Sequence, residues 1–268
     1  MVNAPQFDTL ADMESSMWLA KTKEKMSRNE WPSECVRCQE TEPNSIRVYA
    51  TELDNKTQQQ NYLQVGGVLD NLCNAACQTC NENLSSRIGS LTGPGFPIVN
   101  NLEQFWQLPQ DRIVHLDING GEPGYSKNYK KILANLPPNL KTLRLNTNCS
   151  TVLTELAEIA TRGIEVTVTV SCDGIGPVHD FVRWPIPWQE FYRNLMSYKT
   201  MPVKLNLWTT VSVLNVDDLS NIQKFAQEHS IDHSYAYLKQ PYELSVDNTD
   251  LVARQTYISK QKQLRGIE

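Results

Sequence analysis

From Asn61 onward, short runs alternate between apolar and polar positions, and stretches of helical period separate them. Leu63 to Leu69 (LQVGGVL), Ile113 to Ile118 (IVHLDI) and Leu140 to Leu145 (LKTLRL) read as strands. Ile164 to Val170 (IEVTVTV) is the clearest, because its β-branched residues suit a half-buried pleated surface. Val203 to Val213 reads as a fifth strand and His233 to Leu238 as a weaker sixth. Helical spacing falls between them, at Leu102 to Leu108, Tyr129 to Leu136, Val152 to Arg162, Trp188 to Lys199 and Leu219 to Gln227. Strands alternating with helices predict an α/β fold with a parallel sheet and crossover helices. Six such units are too few for a closed eight-stranded barrel, so the pattern predicts a partial (β/α)6 TIM-type barrel. In barrels of this kind, function lies at the C-terminal ends of the strands.

The first 60 residues follow a different pattern. Met17 to Met26 can form a short amphipathic helix; the next segment, WPSECVRCQETEPNS, carries turn residues and little periodicity. TELDNKTQQQN is polar and reads as a linker. The expected organisation is a cysteine-bearing N-terminal segment (1–60), the partial barrel (61–248) and a C-terminal tail (249–268).

Composition narrows the class. The chain has 268 residues, 40% hydrophobic and 21% charged, with a net charge of −5 and no long basic run. Nucleic acid is not expected as a partner. No stretch approaches the roughly 20 apolar residues of a membrane helix. MVNAPQFDTLADMESS has neither the basic nor the apolar region of a signal peptide, so a cytoplasmic location is expected. Seven cysteines, an odd number, make a disulfide framework an unsuitable explanation there.

Their spacing points to metal chemistry. Cys73, Cys77 and Cys80 form C-x3-C-x2-C in the loop after the first strand. Three thiolates so close can surround one centre, either a four-iron cluster with an open iron or a zinc with an open position. The second strand runs into Asn119-Gly120-Gly121-Glu122-Pro123, where two glycines permit close backbone approach and the Glu offers a carboxylate to a cationic amine.

With these two motifs in this order, Asn61 to Asn248 resembles the radical S-adenosylmethionine (radical SAM) superfamily. Ser171-Cys172-Asp173-Gly174 followed by His179-Asp180-Phe181-Val182-Arg183 is similar to the S-x-D-G…H-D-x-x-R segment of its SPASM and twitch enzymes. The resemblance implies a [4Fe–4S] cluster on Cys73, Cys77 and Cys80, with SAM chelated by its open iron. It implies that Gly120, Gly121 and Glu122 meet the SAM amine, Ser171 and Asp173 the ribose, and Arg183 the carboxylate. A guanidinium fork suits a carboxylate. Asn148 belongs to a segment similar to the T-N-G that ends the third strand, with Cys149 as a small filler where Gly is usual. Thr79 stands where the family carries an aromatic residue near adenine, leaving a backbone contact. Alternation places Cys172 away from the cofactor, in the core.

Cys35 and Cys38 resemble the cysteine-rich segment that precedes the core in compact twitch proteins. No Cys or His lies upstream of Cys35, so the pair is open to a second iron–sulfur cluster completed from elsewhere or from a second subunit, a zinc, or redox-active thiols. His115 reads as a packed interior residue, the Trp184 to Trp188 segment as an apolar anchor, and Tyr235 and Tyr237 as packing residues near the rim. The implied activity is reductive cleavage of SAM to a 5′-deoxyadenosyl radical and hydrogen abstraction from a peptide side chain or small metabolite. The implied electron donor is a flavodoxin or ferredoxin, and a homo-oligomer is left open. The alternatives are a deazapurine-forming radical SAM enzyme and a non-catalytic zinc-binding module.

Overall fold

The computed structural model describes residues 5–28, 30–35 and 62–267. The chain forms two compact units, Met1–Tyr62 and Leu63–Glu268. In the first unit, α1 (Leu10–Ser15) and α2 (Met17–Ser27) start at Thr9 and Ser16, whose hydroxyls accept from the Asp12 and Leu19 N–H groups. These caps satisfy donors that a helix start leaves free. The Trp18 Nε1–H donates to Glu34 at 3.2 Å. Cys35 closes a short 3-10 turn, Ser33–Cys35. Cys38 and the side chain of Cys35 lie outside the described residues.

The second unit contains, in order, β1 (Leu63–Val68), α3 (Ser86–Thr92), α4 (Leu102–Gln107), β2 (Ile113–Asn119), α5 (Lys127–Ala134), β3 (Thr142–Thr147), α6 (Glu155–Thr161), β4 (Glu165–Ser171), α7 (Pro177–Val182), α8 (Trp188–Lys199), β5 (Lys204–Val211), α9 (Leu219–Glu228), β6 (Asp232–Tyr237) and α10 (Leu251–Arg265). The six strands pair in chain order, β1 to β6, and every pairing is parallel. β1 and β6 do not pair with each other, so the sheet is an open (β/α)6 partial barrel.

The two-residue period of the strands sorts the sheet into two chemically different faces. Ile118, Leu145 and Val168 are in register across β2, β3 and β4, and all three are buried. They join Ile132, Leu156, Phe191, Leu195 and Ile222 of the helices in one apolar core. The opposite face is polar: Asp117, Arg144 and Thr167 are in register there, as are Ser171 and Trp208. A sheet covered by helices on both faces carries near-continuous apolar runs. Here the helices of this unit join the apolar face, and the other face is polar, so the strands alternate clearly in sequence.

His115 lies on the polar face with Nδ1 2.7 Å from the Thr142 hydroxyl, and burial, then Lys141 and Arg144, push its pKa down. It is an interior hydrogen-bonded residue, as its position in the strand suggests. Tyr235 and Tyr237 share a face with Thr209 and Val211, opposite the polar face of Ser171 and Trp208. Trp188 stacks on Phe191 at 5.3 Å and meets Phe225 edge-on, anchoring the start of α8.

Three helices of this unit have no counterpart in the periodicity. α3 and α7 are 7 and 6 residues long and bury only two residues each, Ile88 and Gly89 in α3 and His179 and Val182 in α7, which makes no apolar stripe. α10 occupies the segment read as a tail. Its boundaries are marked: the Asp250 carboxylate accepts from the Val252 and Ala253 N–H groups, and Gly266 ends the helix at φ +65°.

Candidate active site

The cysteine loop leaves the end of β1 and is fixed before the first cysteine. Asp70 is fully buried; one carboxylate oxygen accepts from the Leu72 N–H, the other from Ser126 and Asn128 at the start of α5. Asn71, also buried, donates to the Pro97 carbonyl at 2.8 Å and accepts from the Val99 N–H. The Cys73 N–H donates to Ser86, and Ser85 donates to the Ala75 carbonyl at 2.6 Å. On the far side, the Ala76 and Gln78 N–H groups donate to the Trp184 and Val182 carbonyls at 2.8 and 2.9 Å. A loop without regular structure thus finds partners for its buried backbone groups.

The glycine turn after β2 grips this loop. The Glu122 N–H donates to the Leu72 carbonyl at 2.8 Å. Gly121 has φ +58°, and a Cβ there would lie 2.5 Å from the Leu72 carbonyl oxygen; one on Gly120 would lie 2.4 Å from Val68. The glycines are required by the approach of two backbone segments, with the cavity on their other side.

Glu122 is fully buried and turned toward β3. Its oxygens accept from the Thr147 hydroxyl at 2.7 Å, the Asn148 N–H at 2.6 Å and the Gly124 N–H at 3.1 Å. Burial pushes its pKa up, and these bonds oppose that. These three bonds brace the glycine turn against the end of β3. Asn148 donates to Asn74 at 2.9 Å and lies 3.8 Å from the Cys73 sulfur. Cys149 is buried at φ +61°, a small residue in a glycine-like conformation.

Arg183 follows α7 and is buried. Its Nη1 donates to Asp173 at 3.1 Å, while its Nε has no partner among the described residues. The other Asp173 oxygen accepts from the Thr210 N–H at 2.8 Å. Asp173 therefore orients Arg183. Cys172 is buried, with its sulfur 3.6 Å from the Gly174 carbonyl, in the core as its alternation predicts. Thr79, within the loop, is half-buried.

These pieces enclose one cavity of about 300 Å³. Its walls include Cys73, Cys77 and Cys80, both turn glycines, Asn148, Ser171 and Arg183. The site lies where β1 to β4 end, as the barrel reading predicts. Cys73, Cys77 and Cys80 are free thiols. Burial, then the charge of Cys77, pushes Cys73 and Cys80 up to about 12; burial also raises Cys77. Among the described residues, no three His, Cys, Asp or Glu side chains are gathered closely enough to hold one metal ion.

One participant was not found from the sequence. Arg265 of α10 is buried, with its Nε and Nη2 donating to the Ala76 and Cys77 carbonyls at 2.6 and 3.0 Å. The contact spans 189 positions, so no local pattern announces it. The available signal was the Arg-Gly pair that ends a capped helix.

No family model matches the chain, and no curated protein matches it. Solved structures do. Streptococcus suis SuiB bound to the precursor peptide SuiA matches with a TM-score of 0.50 at 13% identity, over 94% of this chain and 61% of that one. SuiB bound to S-adenosylmethionine matches with a TM-score of 0.50 at 14% identity, over 93% and 57%. Native anSMEcpe with bound AdoMet matches with a TM-score of 0.51 at 16% identity, over 74% and 61%. The likeness is one of fold. The chain spans about three fifths of the length of these structures.

Proposed function

We propose that this chain is a radical SAM enzyme of the twitch/SPASM type. The observation that carries the reading is the convergence of Cys73, Cys77, Cys80, Gly120, Gly121, Ser171 and Arg183 on one cavity at the strand ends. Two structures of the same fold hold S-adenosylmethionine, which supports it.

The donor set fits a [4Fe–4S] cluster with SAM. Three thiols and no other ligand type suit iron–sulfur ligation, one thiolate per iron, leaving one iron open. A cluster does not require the sulfurs to meet at a single point, as one zinc would. Arg183 lies in the cavity wall, and its Nε is a buried donor without a partner among the described residues, suited to an acceptor such as a ligand carboxylate. When bound, the cluster and SAM would supply one-electron cleavage of the sulfonium and a 5′-deoxyadenosyl radical.

The chain's own residues hold and orient these groups. Arg183, held by Asp173, would take the SAM carboxylate, and the Gly120-Gly121 turn its amine. Ser171 would meet the ribose, and Asn148 and the Thr79 backbone would flank the nucleoside. Glu122 fixes the end of β3 against the glycine turn, so both walls keep their spacing. The polar sheet face beyond Ser171, with Trp208 beside it, would hold the substrate. The substrate is a peptide side chain or small metabolite, and the peptide is supported by SuiB, which binds a precursor peptide. A flavodoxin or ferredoxin would deliver the electron. Among the described residues no helix is long and apolar enough to cross a membrane, in keeping with a cytoplasmic reading. Cys35 and Cys38 remain candidates for a second cluster or a zinc.

Anaerobic iron–sulfur reconstitution followed by iron analysis tests the reading. The parent chain should hold about four irons at the three-cysteine site, and the combined Cys73→Ala, Cys77→Ala, Cys80→Ala variant should lose them. Equal iron in the two proteins would remove the site.

A further inference from the structure

Arg265 is a buried cation whose hydrogen bonds go to neutral groups. Its Nε and Nη2 hold the Ala76 and Cys77 carbonyls, and its Nη1 contacts Gln261 through the backbone and the side chain. Among the described residues no carboxylate pairs with it. A buried charge without a carboxylate partner is costly, which suits a place beside an anionic group. The groups it faces are the backbone atoms of the cluster-binding loop, one of them on Cys77 itself.

We propose that Arg265 is a positioning residue for the cluster. It clamps the loop between Cys73 and Cys80, and its fixed positive charge behind Cys77 raises the cluster's reduction potential, easing electron entry. The inference rests on the radical SAM reading. Local geometry supports it. Lys262, one turn earlier on α10, lies 5.8 Å from the Phe181 ring. Phe181 belongs to α7, which also carries the Val182 carbonyl that holds Gln78, and α10 packs against α3, which follows the cysteine loop. Positive charge near a thiolate-ligated cluster favours its reduced, more negative state. Arg suits the clamp because its rigid fork reaches two carbonyls at once, whereas a Lys ammonium gives a point charge without that geometry.

The test compares the parent with Arg265→Gln and Arg265→Lys by two readouts. The first is the rate at which iodoacetamide alkylates Cys77 and Cys80 in the metal-free protein, mapped by mass spectrometry. Both variants should react at least about threefold faster, because the loop loses its two-point clamp. The second is the midpoint potential of the reconstituted cluster, read by EPR during a redox titration. Arg265→Gln should be harder to reduce, by about tenfold in the reduced-to-oxidised ratio at a fixed poise, or about 59 mV for a one-electron couple. Arg265→Lys keeps the charge and should stay near the parent. A purely structural role predicts that both variants shift together or not at all, and that outcome overturns the electrostatic role. Unchanged alkylation in both variants overturns the clamp. If Arg265→Gln loads no cluster while Arg265→Lys loads one at the parent potential, the need for the charge stands. A parent chain that takes up no iron defeats the radical SAM reading instead, while the alkylation comparison still decides the clamp.

Discussion

At the residue scale, the site depends on charges that the protein has already placed. Arg183 and Asp173 form a buried pair, with side chains 11% and 2% exposed, which excludes a surface salt bridge. Arg183→Ala should weaken SAM binding by about 2–5 kcal/mol, roughly one and a half to three and a half orders of magnitude. It should also lower stability, because Asp173 is left buried without its cation. Arg183→Lys should recover part of the affinity, since an ammonium lacks the fork. Equilibrium SAM binding to clustered protein measures both. An affinity within about twofold of the parent would take Arg183 out of the site. The sequence marked Arg183 but not the orientation of its neighbours. Whether a carboxylate such as Glu122 or Asp173 faces a ligand or a backbone amide is settled by packing, which spacing does not encode.

Glu122 has its own pH signature. Burial, the largest influence, raises its pKa above the usual 4.5. The folded state then holds the proton more tightly than the unfolded state. Its contribution favours folding at pH below the unfolded value and is lost as pH rises through the folded one. Denaturant midpoints should therefore show a downward slope with rising pH above 4.5 that Glu122→Gln removes. An identical slope in the two proteins would mean that Glu122 does not titrate there.

At the scale of elements, two loops from adjacent strands make the site by touching. Gly121 sits at φ +58° with the Leu72 carbonyl 2.5 Å from where a Cβ would be. Gly121→Ala should cost more than about 1–2 kcal/mol, since a left-handed backbone is strained for Ala and the clash is with backbone that cannot rotate away. Iron loading should fall with it, because the displaced segment leads into Cys73. Thermal melting and iron content check this, and a variant equal to the parent in both would show that the turn tolerates a side chain. β2 to β5 were legible because each has one wet face: in β4, Val166, Val168 and Val170 are buried while Glu165 is exposed and Thr167 and Thr169 are half-buried; β6, exposed along most of its length, gave the weaker pattern. The third strand begins at Thr142, two residues after the apolar run at Leu140 suggested. Leu140 packs as part of the core before the ladder starts. α3 and α7 escaped because they lie in loops dominated by the cysteine and S-x-D-G motifs, whereas α4 and α6, equally short, carry apolar positions at helical spacing.

At the scale of the molecule, an open sheet of six parallel strands brings its strand ends to one cavity and leaves a polar face beside it. Periodicity predicted that architecture, and the C-x3-C-x2-C and GGEP motifs predicted its location. The contact of α10 with the cysteine loop was not legible, since Arg265 reaches Ala76 across 189 positions. The central claim is that the three cysteines hold a cluster able to cleave SAM. The direct measurement is 5′-deoxyadenosine, quantified after the anaerobically reconstituted and reduced chain is incubated with SAM. The account predicts that 5′-deoxyadenosine forms with the parent and is abolished in the variant carrying Ala at Cys73, Cys77 and Cys80. Equal product from the two proteins, or none from an iron-loaded and reduced parent, would contradict it.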